Sequence, residues 1–401
     1  MRKPNKYSLA VVITVLFAPP ACGQLLDTLL PATVPGYGEK FSVIAQHRAV
    51  APGATRWNFG GITAAPGLDM RTGYDSAPGG AAGSALLQAT PSLAVADQAA
   101  GFGLYAQAMQ ADYPQNRAQN TSTMLIAAGE RISLPRERIT AAAAWLRGAV
   151  TGFAFDTAAI TRPIPFTLEN FRAVDEFSSG MFTFTPEFSA SRYRFGAIAS
   201  TASRDEWREA ATLASHTGGP LTLLLRLGAT QQVYQTDAEN ADVFEYLAGA
   251  REQADGLWSL SLLAGAAQRL PRFGPAITAP ILEARADWMP TALTRISLTA
   301  SREIDDPDAV SAAPYTKTSL KLAVVQDHLG NVTIKALADL AEARYIHSNL
   351  REFLGMGELS MQWRATPVLS VTGVYSFNTR QANALGAANE HVFTLGLSWT
   401  P

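Results

Sequence analysis

The sequence predicts an all-β fold, a transmembrane antiparallel up-and-down β-barrel of about 16–18 strands, and three observations support this prediction. The first is an alternation of apolar and polar side chains that recurs from about Leu221 to the C-terminus. The second is a short apolar leader at the N-terminus. The third is an alternation of tight and longer connections between the predicted strands.

The alternation gives each predicted strand one apolar and one polar face, because successive side chains of a strand point in opposite directions. Leu221, Leu223, Leu225 and Leu227 share one parity, whereas the other carries Thr222, Arg226, Thr230 and Gln232. The last segment repeats the pattern, with an apolar parity of His391, Phe393, Leu395, Leu397 and Trp399. A closed sheet with its apolar side outward explains many such segments in a row.

The composition agrees with membrane-spanning strands. Hydrophobic residues make up 47% of the 401 residues and charged residues only 16%. Apolar runs in the body of the chain stay below the roughly 18 residues that a membrane helix needs. The formal net charge of −2 argues against nucleic acid as a partner.

Residues 1–23 have the layout of a signal peptide. A basic start at Arg2, Lys3 and Lys6 precedes the apolar stretch 9–18. Ala21-Cys22-Gly23 then fits a cleavage site. The alternative is that Cys22 is a lipoprotein cysteine, although Pro19 stands where a bacterial lipobox has leucine. In either case the mature chain has no disulfide.

Residues 24–61 lack strand patterning and contain turn-forming residues such as Pro31, Pro35 and Gly36. We interpret this segment as an irregular periplasmic arm or as a partial plug of the lumen. Residues 62–401 then form the barrel.

Connection lengths predict how the barrel is oriented. Outer-membrane barrels have short periplasmic turns, longer outer loops and periplasmic termini. We therefore predict a location in the outer membrane of a Gram-negative bacterium, with both termini periplasmic. Phe155–Asn170 is the best candidate for a loop that folds inward, between predicted strands at 136–151 and 171–185. The predicted tight turns are Leu134-Pro135, Thr185-Pro186-Glu187, Met289-Pro290, His328-Leu329-Gly330 and Thr366, and the other predicted longer connections are Asp237–Glu239, Leu270–Pro275, Glu303–Ala313 and Arg380–Ala387.

The parity of each strand assigns its lipid and lumen faces. A charge facing the middle of the bilayer costs about 2–4 kcal/mol for Arg or Lys, so charged side chains are expected to point inward. These inward groups either pair across strands and stiffen the wall, or bias the pore toward acidic solutes. Predicted outward groups are Tyr193-x-Phe195-x-Ala197, Trp258 to Ala264, Ile296 to Ala300, Val332 to Ala338 and Leu369 to Gly373, each at alternate positions. Predicted pore-lining residues are Arg192, Arg194, Arg226, Arg251, Arg295, Lys317, Lys321 and Lys335, which share the wall with Glu245 and Asp339.

No pattern in the sequence predicts catalysis, a cofactor or a metal site. Gly101-x-Gly103-x-x-Ala106 resembles a dinucleotide-binding fingerprint, but Gln107 and Gln110 continue a strand where that motif requires a helix. The five histidines are scattered along the chain. We therefore expect no enzyme activity and no cofactor.

Several short motifs carry a resemblance to a known family. They are Pro66-Gly67-Leu68, Gly73-Tyr74-Asp75-Ser76, Thr90-Pro91-Ser92-Leu93, Trp288-Met289-Pro290-Thr291 and Tyr375-Ser376-Phe377-Asn378-Thr379-Arg380. Over residues 60–400 the chain resembles bacterial outer-membrane beta-barrel porins often found beside exopolysaccharide gene clusters. It departs from them at Ala77, where asparagine is frequent. The Pro401 ending is also not an obvious part of the family pattern.

The resemblance implies an outer-membrane channel that helps to export a polysaccharide or admits small solutes. The alternative is a non-conducting structural or adhesive barrel that anchors surface polymer. Expected partners are outer-membrane lipid, the barrel-assembly machinery, a polysaccharide and periplasmic export components. The family has no settled catalytic residues, so the resemblance assigns none.

Overall fold

The computed structural model describes residues 26–27, 29–31, 33–37, 57–97, 99–155, 157, 161–236, 239–254, 256–306, 313–328, 330–383 and 386–400. These residues form one sheet of nineteen antiparallel strands. The strands are β1 (Trp57–Phe59), β2 (Ile62–Asp75), β3 (Ser84–Asp97), β4 (Phe102–Asp112), β5 (Thr121–Ser133), β6 (Glu137–Val150), β7 (Ile164–Ser179), β8 (Phe182–Phe195), β9 (Arg204–His216), β10 (Leu221–Tyr234), β11 (Ala241–Ala254), β12 (Trp258–Pro271), β13 (Ile277–Thr291), β14 (Thr294–Asp305), β15 (Tyr315–His328), β16 (Val332–Tyr345), β17 (Arg351–Arg364), β18 (Leu369–Ala382) and β19 (Gly386–Trp399). Among the described residues, no helix is both long enough and apolar enough to cross a membrane.

The ring closes between the last long strand and the first. From β2 onward each strand pairs with the next, and β19 pairs with β2 from Trp399↔Leu68 to Val392↔Asp75. β1 pairs with the start of β2, from Trp57↔Ala64 to Phe59↔Ile62, where β19 no longer reaches. The closed barrel therefore consists of the eighteen strands β2 to β19, and the predicted fold class is confirmed.

The connections differ between the two ends of the barrel. One end carries the first residue of β2, the last residue of β19 and the tight connections; we call it the short-turn end. Most connections at the opposite end, the loop end, are longer. Connections at the short-turn end are residues 98–101, 134–136, 180–181, 217–220, 255–257, 292–293, 329–331 and 365–368, and those at the loop end are 76–83, 113–120, 151–163, 196–203, 235–240, 272–276, 306–314, 346–350 and 383–385.

The predicted tight turn at Thr185-Pro186-Glu187 is wrong. The turn lies at Gly180–Met181, where Gly180 adopts a left-handed φ of 59° that glycine tolerates without strain. Pro186 lies inside β8, and the β7–β8 ladder is interrupted there, between Val174↔Glu187 and Phe177↔Phe184. Proline has no N–H to donate to a β-ladder, so Pro186 led to the prediction of a turn. In the structure β8 accommodates this proline.

The outward faces agree with the predicted parity from β10 onward. Leu223 and Leu225 are 50% and 47% exposed, whereas Leu224 between them is buried. The same alternation places Trp288, Trp363 and Trp399 on the outer surface near the short-turn end. These strands present an apolar band to the outside, as a bilayer requires.

The outward assignment of the segment 193–197 is wrong. Tyr193 and Phe195 are 1% and 9% exposed and pack against apolar side chains inside the barrel. Ala197 lies beyond β8, in a short 3-10 helix at residues 197–202. The lumen is apolar in this sector, so aromatic residues point inward and the usual rule that apolar side chains face lipid fails.

Candidate functional site: the barrel lumen

The described residues of the N-terminal segment, 26–37, lie inside the barrel against the wall formed by β4 to β7. Leu26, Leu30, Val34 and Tyr37 are at most 6% exposed. They belong to one cluster with inward side chains of the wall, among them Tyr105, Leu125, Ala127, Ala142 and Ala144. Of the two interpretations of residues 24–61, this placement favours a partial plug, although the boundaries of that segment stay a prediction.

Two glycines of the wall make room for this segment, which we call the arm. A Cβ atom added to Gly103 of β4 would lie 2.1 Å from the carbonyl oxygen of Thr33. A Cβ atom added to Gly129 of β5 would lie 2.1 Å from the carbonyl oxygen of Pro35. Distances this short exclude any side chain, so the backbone of the arm rests directly on the strands.

Polar contacts fix the arm to β7. Arg172 Nη1 donates to Asp27 Oδ1 at 2.9 Å and to the Gly36 carbonyl oxygen at 3.0 Å. The Tyr37 hydroxyl donates to Asn170 Oδ1 at 2.7 Å. Burial raises the pKa of Tyr37, so this donor keeps its proton. The arm is therefore held by both apolar packing and directional bonds.

Residues 151–155 of the β6–β7 connection fold into the mouth of the barrel at the loop end. Phe153, Ala154 and Phe155 are at most 7% exposed. The Phe155 ring lies 5.6 Å from the ring of Tyr315, which belongs to β15 across the lumen. Arg380 of β18 donates to the Gly152 carbonyl oxygen. The predicted inward loop 155–170 is thus right in kind but displaced, since β7 already begins at Ile164.

The inner wall of β9 to β15 carries paired charges. Arg226 of β10 donates to both carboxylate oxygens of Glu283 of β13, at 3.0 and 2.9 Å. Arg208 reaches Glu245 at 2.9 Å. Further pairs are Arg269–Asp306 at 3.0 Å, Arg285–Asp287 at 2.7 Å, Arg295–Asp287 at 3.5 Å, Lys317–Glu303 at 3.6 Å and Lys317–Asp305 at 3.7 Å. An apolar cluster that includes Leu224, Leu247, Leu263 and Ile281 lies on the same wall.

Six of the eight predicted pore-lining residues have inward parity. Arg226, Arg295 and Lys317 form the ion pairs just described. Lys321 lies directly opposite Asp339 in the β15–β16 register. The other two are Arg251 of β11 and Lys335 of β16. Their role in conduction stays a prediction.

The prediction is wrong for Arg192 and Arg194, which lie on the outer face of β8 near the loop end. Their side chains are 57% and 39% exposed. Asp205 accepts from both, at 3.3 and 2.7 Å, and Glu169 lies 3.5 Å from Arg192. The error follows from Tyr193, because its burial inside the barrel sends both flanking arginines outward.

Sequence reasoning missed several inward basic residues. Arg285 could have been found, because it has the parity opposite to the outward Trp288. Arg172 and Arg204 could not have been found in this way, because the strands predicted near them differ in their bounds from β7 and β9. The inward residues that were missed are Arg71, Arg172, Arg204, Arg208, Arg269, Arg285 and Arg380.

A cavity of about 170 Å³ opens on the inner wall of β15 to β18. Its apolar floor includes Ala323, Val325 and Leu337. Its polar lining is Thr333, Lys335, Glu358, Ser360, Gln362 and Thr372. Within the part of the chain that the structure describes, no group of three or more metal-ligating side chains is present.

Residues 267–399 match the model of a family described as "Putative beta-barrel porin 2". The C-terminal third of the barrel is therefore similar to a family of beta-barrel porins. The resemblance drawn from its short motifs is thereby confirmed over this C-terminal part. No functionally curated protein matches the chain.

Solved structures of outer-membrane proteins from Pseudomonas aeruginosa are similar to this chain. OpdK with vanillate is 12% identical, with a TM-score of 0.47, covering 84% of this chain and 98% of that one. OccK2 (OpdF) is 13% identical, with a TM-score of 0.44 and the same coverages of 84% and 98%. The siderophore receptor PirA is 10% identical, with a TM-score of 0.43, covering 94% and 92%. At such identities their ligands are not transferred to this porin-like barrel.

Proposed function

We propose that this porin-like barrel is a channel that passes a polar solute or polymer across the outer membrane, and that polysaccharide export is its specific task. The observation that carries the proposal is the inner wall of β9 to β18, which presents charged, hydroxyl and amide groups around an open cavity. A barrel of this strand number encloses an aqueous lumen unless something fills it.

The charge pattern of this wall suits an uncharged polar cargo. Arg226 is neutralised by Glu283, and Lys317 lies beside two carboxylates. Paired charges still exchange hydrogen bonds with a passing hydroxyl, but they generate little net field. We therefore expect weak ion selectivity instead of strong preference for anions.

The proposed orientation has the short-turn end and both termini in the periplasm. The loop end, with the inward residues 151–155, then faces the outside of the cell. Outer-membrane lipid contacts the apolar band, the barrel-assembly machinery inserts the chain, and periplasmic export components approach the short-turn end.

Planar-bilayer recording with the purified, folded protein tests the channel. We expect steady open-channel currents in a simple salt solution. Silence at all voltages from protein that migrates as a folded, heat-modifiable barrel would contradict conduction.

A second candidate function is a non-conducting barrel that anchors surface polymer. The arm at residues 26–37 and the loop residues 151–155 both occupy the lumen, and this favours the second candidate. The two candidates differ in whether an unmodified barrel conducts. Binding of polymer to whole cells, retained by a silent barrel, would support the anchor.

A further inference from the structure

The cavity on β15 to β18 combines an apolar floor with hydrogen-bonding groups. Ala323, Val325 and Leu337 supply the floor. The polar groups lie on three neighbouring strands in register, with Thr333 opposite Gln362 and Gln362 opposite Thr372. Sites for small polar ligands have this build, since apolar surface excludes water and a few placed polar groups fix orientation.

One hydroxyl of this cavity lacks a hydrogen-bond partner. Thr372 is 2% exposed, and its Oγ1 atom makes no hydrogen bond in the described structure. A buried polar atom without a partner is costly, by about 1–3 kcal/mol, and most such atoms in folded proteins are satisfied. Thr372 is among the residues that line the cavity, so a ligand hydroxyl bound there lies beside a polar atom that has no partner in the described structure.

The charges of the cavity compensate each other. Lys335 of β16 and Glu358 of β17 are diagonal neighbours, because Lys335 is opposite Ser360 and Leu337 is opposite Glu358. The other polar lining groups, two threonines, a serine and a glutamine, are neutral. The cavity therefore offers donors and acceptors of both kinds without a net charge that would select an ion.

We propose that this cavity is a binding subsite for a neutral polyhydroxylated ligand, a saccharide unit. The inference rests on the proposed channel function and places a contact site for its saccharide cargo on the inner wall. A volume of about 170 Å³ exceeds the roughly 30 Å³ of one water several times, which leaves space for a single sugar ring. The hydroxyl groups of the ring bond Gln362, Ser360 and Thr372, and its apolar face lies on Val325 and Leu337.

Calorimetric titration of the full-length, detergent-solubilised protein with maltotriose tests the subsite. We expect measurable binding to the unmodified protein. Thr372→Val removes one hydroxyl at nearly constant volume and should weaken binding about two- to tenfold, the usual effect of one neutral hydrogen bond. Gln362→Leu should weaken it by a similar factor.

Thr212→Val is the matched control, because Thr212 has inward parity on β9, away from the cavity. It should bind maltotriose like the unmodified protein. Heat-modifiable migration on gels verifies that each variant is folded. Equal affinities of the unmodified protein and both cavity variants, tighter binding of the anion gluconate than of maltotriose, or no binding at all would each overturn the subsite.

Titration does not depend on conduction, so the two proposals fail separately. If the barrel conducts but binds maltotriose equally well with and without the Thr372 hydroxyl, only the proposed subsite is contradicted. If the barrel is silent but its affinity for maltotriose depends on Thr372, only the proposed channel function is contradicted.

Discussion

The inner wall of the barrel has two unlike sectors. On β3 to β8 it carries alanines, glycines and aromatic rings that pack against the arm, with Val34 fully buried among them. On β9 to β18 it carries ion pairs such as Arg226–Glu283 and the polar cavity near Thr372. The same closed sheet thus serves as a packed core on one side and as a hydrophilic surface on the other.

The difference follows from what lies opposite each sector. Where the inner wall contacts the arm, it is packed like a protein core. It has glycine at the positions that the backbone of the arm approaches, as at Gly103 and Gly129. An inner wall that faces open lumen keeps long charged side chains that neutralise one another, as Arg208 and Glu245 do. Under the proposed channel function the second kind of wall serves the polar cargo, and we expect the arm to limit how much of the lumen conducts.

The largest expected effect is the change in conductance when the arm can no longer pack against the inner wall. The double substitution Gly103→Val and Gly129→Val places side chains where the Thr33 and Pro35 carbonyl oxygens now lie, so the arm can no longer dock. We expect a several-fold rise in single-channel conductance over that of the unmodified protein.

Gly357→Val is the control for this experiment, because a Cβ atom there meets nothing within 4 Å. Its conductance should equal that of the unmodified protein. If the double variant folds and conducts no better than this control, the arm does not obstruct the lumen.

The next effect concerns the loop that joins the two sectors across the mouth. Phe155→Ala removes a buried ring that contacts Tyr315, at a cost of about 3–5 kcal/mol for a buried phenylalanine. We expect the loop to detach, which should appear as frequent closing and opening events in current traces and as faster proteolytic cleavage within residues 151–163. Phe273→Ala, at a ring that is 65% exposed, should change neither. Identical cleavage rates for the two variants would contradict the anchoring of the loop by Phe155.

Charge reversal sharpens the contrast between inner and outer arginines. Arg226→Glu together with Arg295→Glu replaces inward cations and leaves Glu283 and Asp287 without these partners. The reversal potential in a salt gradient should shift toward cation preference. Arg192→Glu together with Arg194→Glu makes the same formal change on the outer face and should leave the reversal potential unchanged. A shift in the second pair, or none in the first, would mean that the faces are assigned wrongly.

The two sectors also differ in how far the sequence predicts them. From β10 onward the outer side is apolar and the charged side chains lie on the lumen side, so parity alone identified Arg226, Arg295 and Lys335 as inward. The strand number and the tight turn at His328 to Gly330 were recognisable because they depend on local patterning. The turn predicted at Met289-Pro290 is wrong, because both residues belong to β13 and the turn lies at Ala292–Leu293.

In the packed sector the same reasoning failed for a physical reason. Tyr193 and Phe195 are apolar and alternate with arginines, which in an ordinary barrel strand means lipid on the aromatic side. Here the aromatic residues face a packed interior, in which Phe195 stacks on Phe166. The same apolar cluster includes the arm, a segment more than a hundred residues away whose docking no local pattern predicts. Pro186 misled in a similar way, because a proline inside a strand has the sequence appearance of a turn.

The smallest expected effect is the change in stability of the protein when an arginine of the outer ion pairs is removed. Arg192→Ala breaks contacts to Glu169 and Asp205 at 3.5 and 3.3 Å, but the arginine side chain is 57% exposed. Exposed pairs contribute about 0–1 kcal/mol, because solvent screens them and the side chains lose entropy. Arg172→Ala is the inner counterpart; its side chain is 9% exposed, and losing one partner of a buried pair costs about 3–5 kcal/mol. In thermal unfolding of the purified barrel the Arg192 variant should be nearly unchanged and the Arg172 variant clearly destabilised. The reverse order would mean that the outer pairs, and not the arm contacts, stabilise this side of the wall.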